Sequence, residues 1–293
     1  MIKITKAVIP IAGLGTRFLP LAKVVPKELW PLVDIPIIQY IIKEAKESGI
    51  KEIIFVLKPD NKKVLDYLKP CPKMEKILKE RKKEDILNEM KNLQALCQNL
   101  SFSYVFQKKP LGDGHALLQA AKLIKDEPVI CMFGDDIIDS KIPGALQLAN
   151  IFKTCQKPVA ALVRLPKERI VHYGIAGVEK IANRLYKIKK IIEKPFLEQA
   201  PSDLAITGRY ALTPEVFHYL KKAKPNKKGE IILADVINNQ MLADGKLIYG
   251  YEVEGRWLEC GDRLRWLKSN IYFSLKHPKY GPELKQYIKE LRL

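Results

Sequence analysis

The chain has 293 residues, enough for a substantial core, and no apolar stretch in it approaches the roughly 20 residues that span a bilayer. Its 51 lysines and arginines against 33 acidic residues give a net charge of +18, yet no nucleic-acid module signature accompanies that excess, which fits a lysine-rich surface with a site for anionic substrates and no specific nucleic-acid partner. Cys71, Cys97, Cys131, Cys155 and Cys260 are scattered with no Cys-x-x-Cys pair, which argues against a disulfide framework or zinc site and fits a reducing cytoplasm.

The first residues run directly into an apolar segment and leave no room for a signal peptide. Residues 7–11 form a continuous apolar run, the pattern of a strand buried on both faces. Gly13 and Gly15 then allow a sharp turn and close approach of backbone to a ligand. Backbone N–H groups in such a loop can bind phosphate oxygens or a base edge. Arg17 and Lys27 add the positive charge that a triphosphate requires. No Gly-Lys-Ser/Thr follows, so this is not a Walker loop. Phe18 stands where a dinucleotide fingerprint has its third small residue.

Further along, helical spacing at 37–47 leads to a strand at 52–57. The stretch 61–99 is dense in Lys and Glu, and within 73–98 Met74, Ile77 and Leu78 fall on one helical face. Surface packing suits that face. A strand at 103–106 ends at Gln107, and the second glycine loop, Leu111-Gly112-Asp113-Gly114-His115, opens a helix over 115–124. His115 reads as packing at the start of that helix. The strand at 129–133 ends in Gly134-Asp135-Asp136, placing a carboxylate at the sheet's carboxyl edge, where ligands of α/β proteins sit. Magnesium binds proteins through one or two such carboxylates plus substrate phosphates. A helix at 145–153 completes a strand–helix alternation that argues for an α/β fold with a largely parallel sheet. The second half mixes strands at 159–163, 174–178, 185–192 and 204–212 with helices at 214–221, 231–242, 264–275 and 282–291. Glu230 and Asp235 read as structural there. No long linker interrupts the chain, so 1–293 reads as one domain.

Gly-Leu-Gly-Thr-Arg-Phe-Leu-Pro at 13–20, Pro-Lys-Glu at 26–28 and Pro-Leu-Val-Asp at 31–34 together resemble the signature of sugar-1-phosphate nucleotidylyltransferases, most closely the bacterial uridylyltransferases. Later motifs follow in the family's order: Gln107 with Gly-Asp-Gly-His, Gly134-Asp135, His172-Tyr173-Gly174, Glu193-Lys194-Pro195, Thr207-Gly208-Arg209-Tyr210 and Glu259-Cys260-Gly261-Asp262. The resemblance implies a Rossmann-like nucleotidyltransferase fold with a mostly parallel central sheet flanked by helices. It adds a smaller β-rich sugar-binding part, an inserted helical segment at 61–100 and C-terminal helices at 262–293. It assigns Ala12, Gly13, Gly15, Glu28, Gln107 and Gly112 to the nucleotide. Gly174, Glu193 and Gly208 go to the sugar, and Arg17, Lys27 and Lys194 to catalysis. Asp135 and Glu259 would hold Mg²⁺. A homodimer or homotetramer is implied as well, with contact between subunits the alternative use of the 73–98 face. Three residues depart from the pattern. Glu259 stands where the family has an aspartate as second metal ligand, with Asp262 a less suitable substitute. Asp136 replaces an apolar residue and is either a spare ligand or solvent-facing. Ala22 replaces a threonine, a minor change.

The reaction so implied is UTP + α-D-glucose 1-phosphate ⇌ UDP-glucose + pyrophosphate. The sugar phosphate is already an anion, so neither a protein nucleophile nor a strong base is needed. Catalysis then rests on positioning and on cancelling charge between two polyanions. Two alternatives stay open from sequence: an enzyme using dTTP or another sugar 1-phosphate, and a non-catalytic paralogue that binds nucleotide sugars.

Overall fold

A computed structural model describes residues 3–291; residues 1 and 2 of the leading segment and 292 and 293 of the closing one lie outside it. In chain order the strands are β1 (Lys6–Pro10), β2 (Pro31–Leu32), β3 (Ile35–Pro36), β4 (Glu52–Leu57), β5 (Ser101–Phe106), β6 (Val129–Met132) and β7 (Asp136–Asp139). They continue with β8 (Val159–Arg164), β9 (Gly174–Ala182), β10 (Leu185–Glu193), β11 (Leu204–Leu212), β12 (Tyr249–Glu252) and β13 (Arg256–Glu259). The helices are α1 (Ile37–Glu47), α2 (Lys63–Leu68), α3 (Pro72–Glu80), α4 (Glu84–Cys97), α5 (Asp113–Ile124) and α6 (Gly144–Cys155). After them come α7 (Lys167–Ile170), α8 (Pro214–Lys222), α9 (Leu233–Val236), α10 (Arg263–Lys276) and α11 (Gly281–Glu290).

Nine strands form the main sheet in the order β5-β4-β1-β6-β11-β8-β12-β10-β9. The expected parallel pairing runs through β5, β4, β1 and β6. From β11 onward the sheet is mixed: β11 lies antiparallel to β6 and β8, and β10 antiparallel to β12 and β9. The parallel strands read as unbroken apolar runs because both faces are covered. Ala7 and Ile9 point into a core shared with α1 and α6, while Val8 points into one shared with α5 and α8. All parallel strands therefore end on one edge, and the two glycine loops and Asp135 follow from those ends.

The 61–100 segment folds as α2 and a hairpin of α3 and α4. Of the predicted face, Leu78 is buried but Met74 is exposed, because the hairpin turns on Leu78 and Leu87 instead. Lys46 of α1 caps the end of α4 by donating to the carbonyls of Ala95 and Leu96. The helix expected over 231–242 begins at Leu233, whose N–H donates to Asp113 Oδ1, and loosens into a π-helical turn at Ile237–Met241. That turn sets Asn238 to accept from the Ile191 N–H, beside the irregularity of β10. Sequence periodicity did not reveal β7 and β13, since each spans only 4 residues. They pair antiparallel and bring Glu259 opposite Asp136.

Candidate active site

Two clefts lie side by side at the carboxyl edge of the parallel strands, sharing Asp113, Phe133, Asp135 and Glu230. One, of about 510 Å³, is built on the glycine loops; the other, of about 740 Å³, is lined by charged side chains.

The glycine cleft takes Ala12, Gly13, Lys27, Glu28, Gln107 and Gly112 from positions scattered over a hundred residues of chain. A Cβ at Gly13 would meet no protein atom within 4 Å, so packing does not require glycine there, and the residue lines the open cleft. Gly15 differs. Its φ of +64° starts the short turn Thr16–Phe18, and it packs on Ala22 without lining either cleft. Phe18 pins that turn by packing edge-on against Trp30 at 4.4 Å. Gln107 is buried, and its amide donates to the Gly112 carbonyl at 2.9 Å while also meeting His115 Nδ1. Gly112 has φ +96°, and a Cβ there would lie 2.5 Å from the Ile231 carbonyl oxygen.

Asp135 forms the wall between the clefts, and Lys27 makes an ion pair with its Oδ2 atom. Burial pulls the Lys27 ammonium down, but Asp135 and then Glu28 outweigh it and hold the pKa above the ordinary lysine value. The same burial pushes Asp135 up, and Lys27 overcomes it to leave the carboxylate below its usual range. Glu28 is pushed up to about 7 by burial, with Lys27 opposing. Asp136 is also pushed up to about 7, by burial and by the charges of Asp135 and Glu259. It is half-buried and not free: Oδ1 accepts from the Trp257 indole at 3.0 Å, and the residue lines the charged cleft.

A buried arginine braces this wall from behind. Arg209 of β11 has no solvent exposure and makes a two-pronged pair with Glu44 of α1, with Nη2–Oε2 at 2.9 Å and Nε–Oε1 at 3.1 Å. It also donates to the Phe133 carbonyl at 3.2 Å and to the Asp136 carbonyl, on either side of Asp135. Glu44 Oε1 in turn accepts from the Ala145 N–H in the first turn of α6.

The charged cleft gathers Arg17, Gly174, Glu193, Lys194, Gly208 and Glu259. Gly174 pairs across the sheet with Glu193, and a Cβ at 174 would sit 2.9 Å from Glu193 Oε2, so the glycine lets that carboxylate lie over the strand. Lys194 takes a φ of +48°, uncommon for a side-chain-bearing residue, and its N–H donates to the Tyr173 carbonyl at 2.9 Å. At Gly208 a Cβ would collide with Asp136 Oδ2 at 2.3 Å. Arg17 reaches this cleft, its Nη1 lying 3.5 Å from the Gly261 carbonyl. Lys227, Lys228, Tyr173, Trp257 and Arg265 line it too. Sequence reasoning named Tyr173 within the His172-Tyr173-Gly174 motif but did not single out the other four; for the two lysines the Lys-Pro-Asn-Lys-Lys-Gly run at 224–229 was the available signal. Glu230 and Asp235, read as structural, also face this cleft.

Glu259 is 9% exposed. Its Oε2 accepts from Arg169 Nη2 at 2.6 Å and from the Tyr173 hydroxyl; its Oε1 accepts from Arg265 Nη1 at 2.9 Å. Asp262 caps α10 by accepting from the Arg265 N–H at 2.9 Å. Asp135, a carboxylate that faces both clefts and pairs with Lys27 through Oδ2 alone, would be the donor for a magnesium ion, which needs only one or two carboxylates. Glu259 and Asp262 are already committed to N–H and O–H donors. Among the described residues, no group of three or more His, Cys, Asp or Glu is arranged to hold a metal.

Comparison with known proteins identifies the family. A family profile described as "Nucleotidyl transferase" matches residues 6–270. The UTP--glucose-1-phosphate uridylyltransferase of Staphylococcus haemolyticus is 39% identical over 291 residues, covering 99% of each chain. A solved UTP-bound UGPase from Acinetobacter baumannii superposes with a TM-score of 0.88 at 34% identity, covering 99% of this chain and 100% of that one. A UDP-glucose pyrophosphorylase complexed with UDP-glucose superposes with a TM-score of 0.83 at 34% identity, covering 94% of this chain and 100% of that one.

Proposed function

This chain belongs to the nucleotidyl transferase family, and we propose that it joins UTP to α-D-glucose 1-phosphate, releasing pyrophosphate and UDP-glucose. The observation that carries the reading is the pair of clefts with one shared wall, on which the Lys27–Asp135 pair stands. The relatives' names supply the substrates: UTP is bound by one solved neighbour and UDP-glucose by another.

In this reading the glycine cleft receives the nucleoside, held by Ala12, Gly13, Glu28, Gln107 and Gly112. Gly15 shapes the loop from below. Glucose 1-phosphate enters the charged cleft, its hydroxyls toward Gly174, Glu193 and Gly208 and its phosphate toward Lys194. The phosphate oxygen attacks the α-phosphorus in line, and pyrophosphate leaves. Lys27, protonated throughout the neutral range, sits where charge builds up around the α-phosphate. Arg17 holds the departing phosphates. Mg²⁺ on Asp135 would supply further neutralisation of phosphate charge. Positioning and fixed charge account for the rate, since no residue need form a covalent bond. Exposed Leu264, Leu267 and Ile271, on one side of α10, support assembly into a homodimer or homotetramer. The five free cysteines support a cytoplasmic site of action.

The deciding experiment is pyrophosphate release with glucose 1-phosphate and Mg²⁺, comparing UTP, dTTP, ATP, GTP and CTP. UTP is expected to exceed the others. A different preferred triphosphate would keep the mechanism and change the substrate. No release with any of them, while UDP-glucose still binds, would make the chain a non-catalytic binder.

A further inference from the structure

We infer that Glu259 is a positioning residue for the charged cleft and not a ligand to a divalent cation. It ties Arg169 and Tyr173, which lead into Gly174, to Arg265 of α10.

Both of its oxygens are used. Three of the roughly four acceptor sites of the carboxylate are taken by Arg169, Tyr173 and Arg265, and a dication at the fourth would be a third cation beside two guanidinium groups. The extra methylene of glutamate relative to aspartate gives the carboxylate the reach for these three donors. The contacts are reinforced by packing. The Arg265 guanidinium lies 4.9 Å from the centre of the Tyr173 ring, and that ring packs edge-on against Trp257 at 5.1 Å.

What Glu259 fixes is passed on directly. Its grip on the Tyr173 hydroxyl holds the residue whose backbone carbonyl accepts from the Lys194 N–H at 2.9 Å. Lys194 and Gly174 are thereby set in place without touching Glu259. Loosening the carboxylate should loosen Lys194 and leave the glycine cleft alone. The identity of the substrate affected rests on the function proposed above; the mechanical link does not.

The test uses two variants of the full chain, Glu259→Gln and Arg169→Met, with three readouts. Mn²⁺ binding in the presence of UTP, followed by electron paramagnetic resonance, is expected to stay within about twofold of the unaltered chain, since Asp135 is untouched. KM for glucose 1-phosphate is expected to rise about fivefold with KM for UTP unchanged, the size of one lost hydrogen bond. Amide hydrogen exchange at Lys194 is expected to accelerate. A tenfold or greater loss of Mn²⁺ affinity in Glu259→Gln would overturn the inference, as would an equal rise in both KM values. Arg169→Met keeps the Glu259 carboxylate and so carries the test should Glu259→Gln fail to fold; a metal-ligand role predicts no change in its KM for glucose 1-phosphate. Should the unaltered chain release no pyrophosphate, the proposed function fails, while Mn²⁺ affinity and Lys194 exchange still decide the role of Glu259.

Discussion

The two clefts share a wall but are made differently. The glycine cleft is shaped by backbone: Gly13 leaves space open, and Gly112 adopts φ +96° where a Cβ would strike Ile231. The charged cleft is shaped by side chains held in place by other side chains, with Glu259 gripped by Arg169, Arg265 and Tyr173. A backbone-built site depends on a few residues that lack a side chain. A site built from ion pairs depends on partners that the fold must bring together, and its members can exchange roles. Glu259 fits that second pattern.

If the clefts are functionally separate, a change in one should leave the substrate of the other alone. Lys194→Ala gives the largest expected effect: KM for glucose 1-phosphate rises about 50-fold while KM for UTP stays nearly constant, as for loss of one charge-assisted contact to phosphate. Steady-state kinetics with each substrate varied will decide it, and equal loss on both would erase the distinction. Gly112→Ala should do the reverse on a smaller scale. The left-handed backbone and the 2.5 Å clash cost about 2 kcal/mol of stability and weaken UTP binding roughly tenfold. Denaturant unfolding and calorimetric titration with UTP measure the two. If glucose 1-phosphate binding suffers more than UTP binding, the glycine loop is misassigned.

The smallest effect concerns Glu28. In the folded chain it keeps its proton up to about 7, whereas the unfolded chain releases it near 4.5. Over that interval the folded state binds more protons, so stability falls as pH rises from about 4.5 to about 7. Glu28→Gln should flatten this slope and raise Tm at pH 8 by about 3 °C. Thermal melts of both proteins across the interval test it; identical slopes would mean that Glu28 is not the group responsible.

The same contrast explains what was legible in the sequence. Buried parallel strands announce themselves as unbroken apolar runs, so β4 falls on the residues where the pattern places it; the antiparallel β11 and the helix α1 do so as well. Glycine loops at strand ends mark a ligand edge, and Gly13, Gln107, Gly112 and Asp135 do converge there. Ion-paired partners carry no such mark. Arg169 lies 90 residues from Glu259, and nothing in the local composition of either predicts that they meet. Short strands such as β7 and β13 escape for a related reason: at 4 residues each they are too brief for a period to register, and they exist because they pair. The π-helical turn after α9 escapes too, since the partner that its Asn238 meets is a backbone N–H on the distant strand β10.

Arg209 and Glu44 sit 165 residues apart in the chain and face each other in the interior, Arg209 with no exposure and Glu44 with 7%. Losing one partner alone would strand a bare charge in the interior, a penalty of about 3–5 kcal/mol. The two positions are thus energetically tied to one another. A single substitution at either position therefore carries that cost, and only a paired change that also finds new support for the carbonyls on both sides of Asp135 would avoid it.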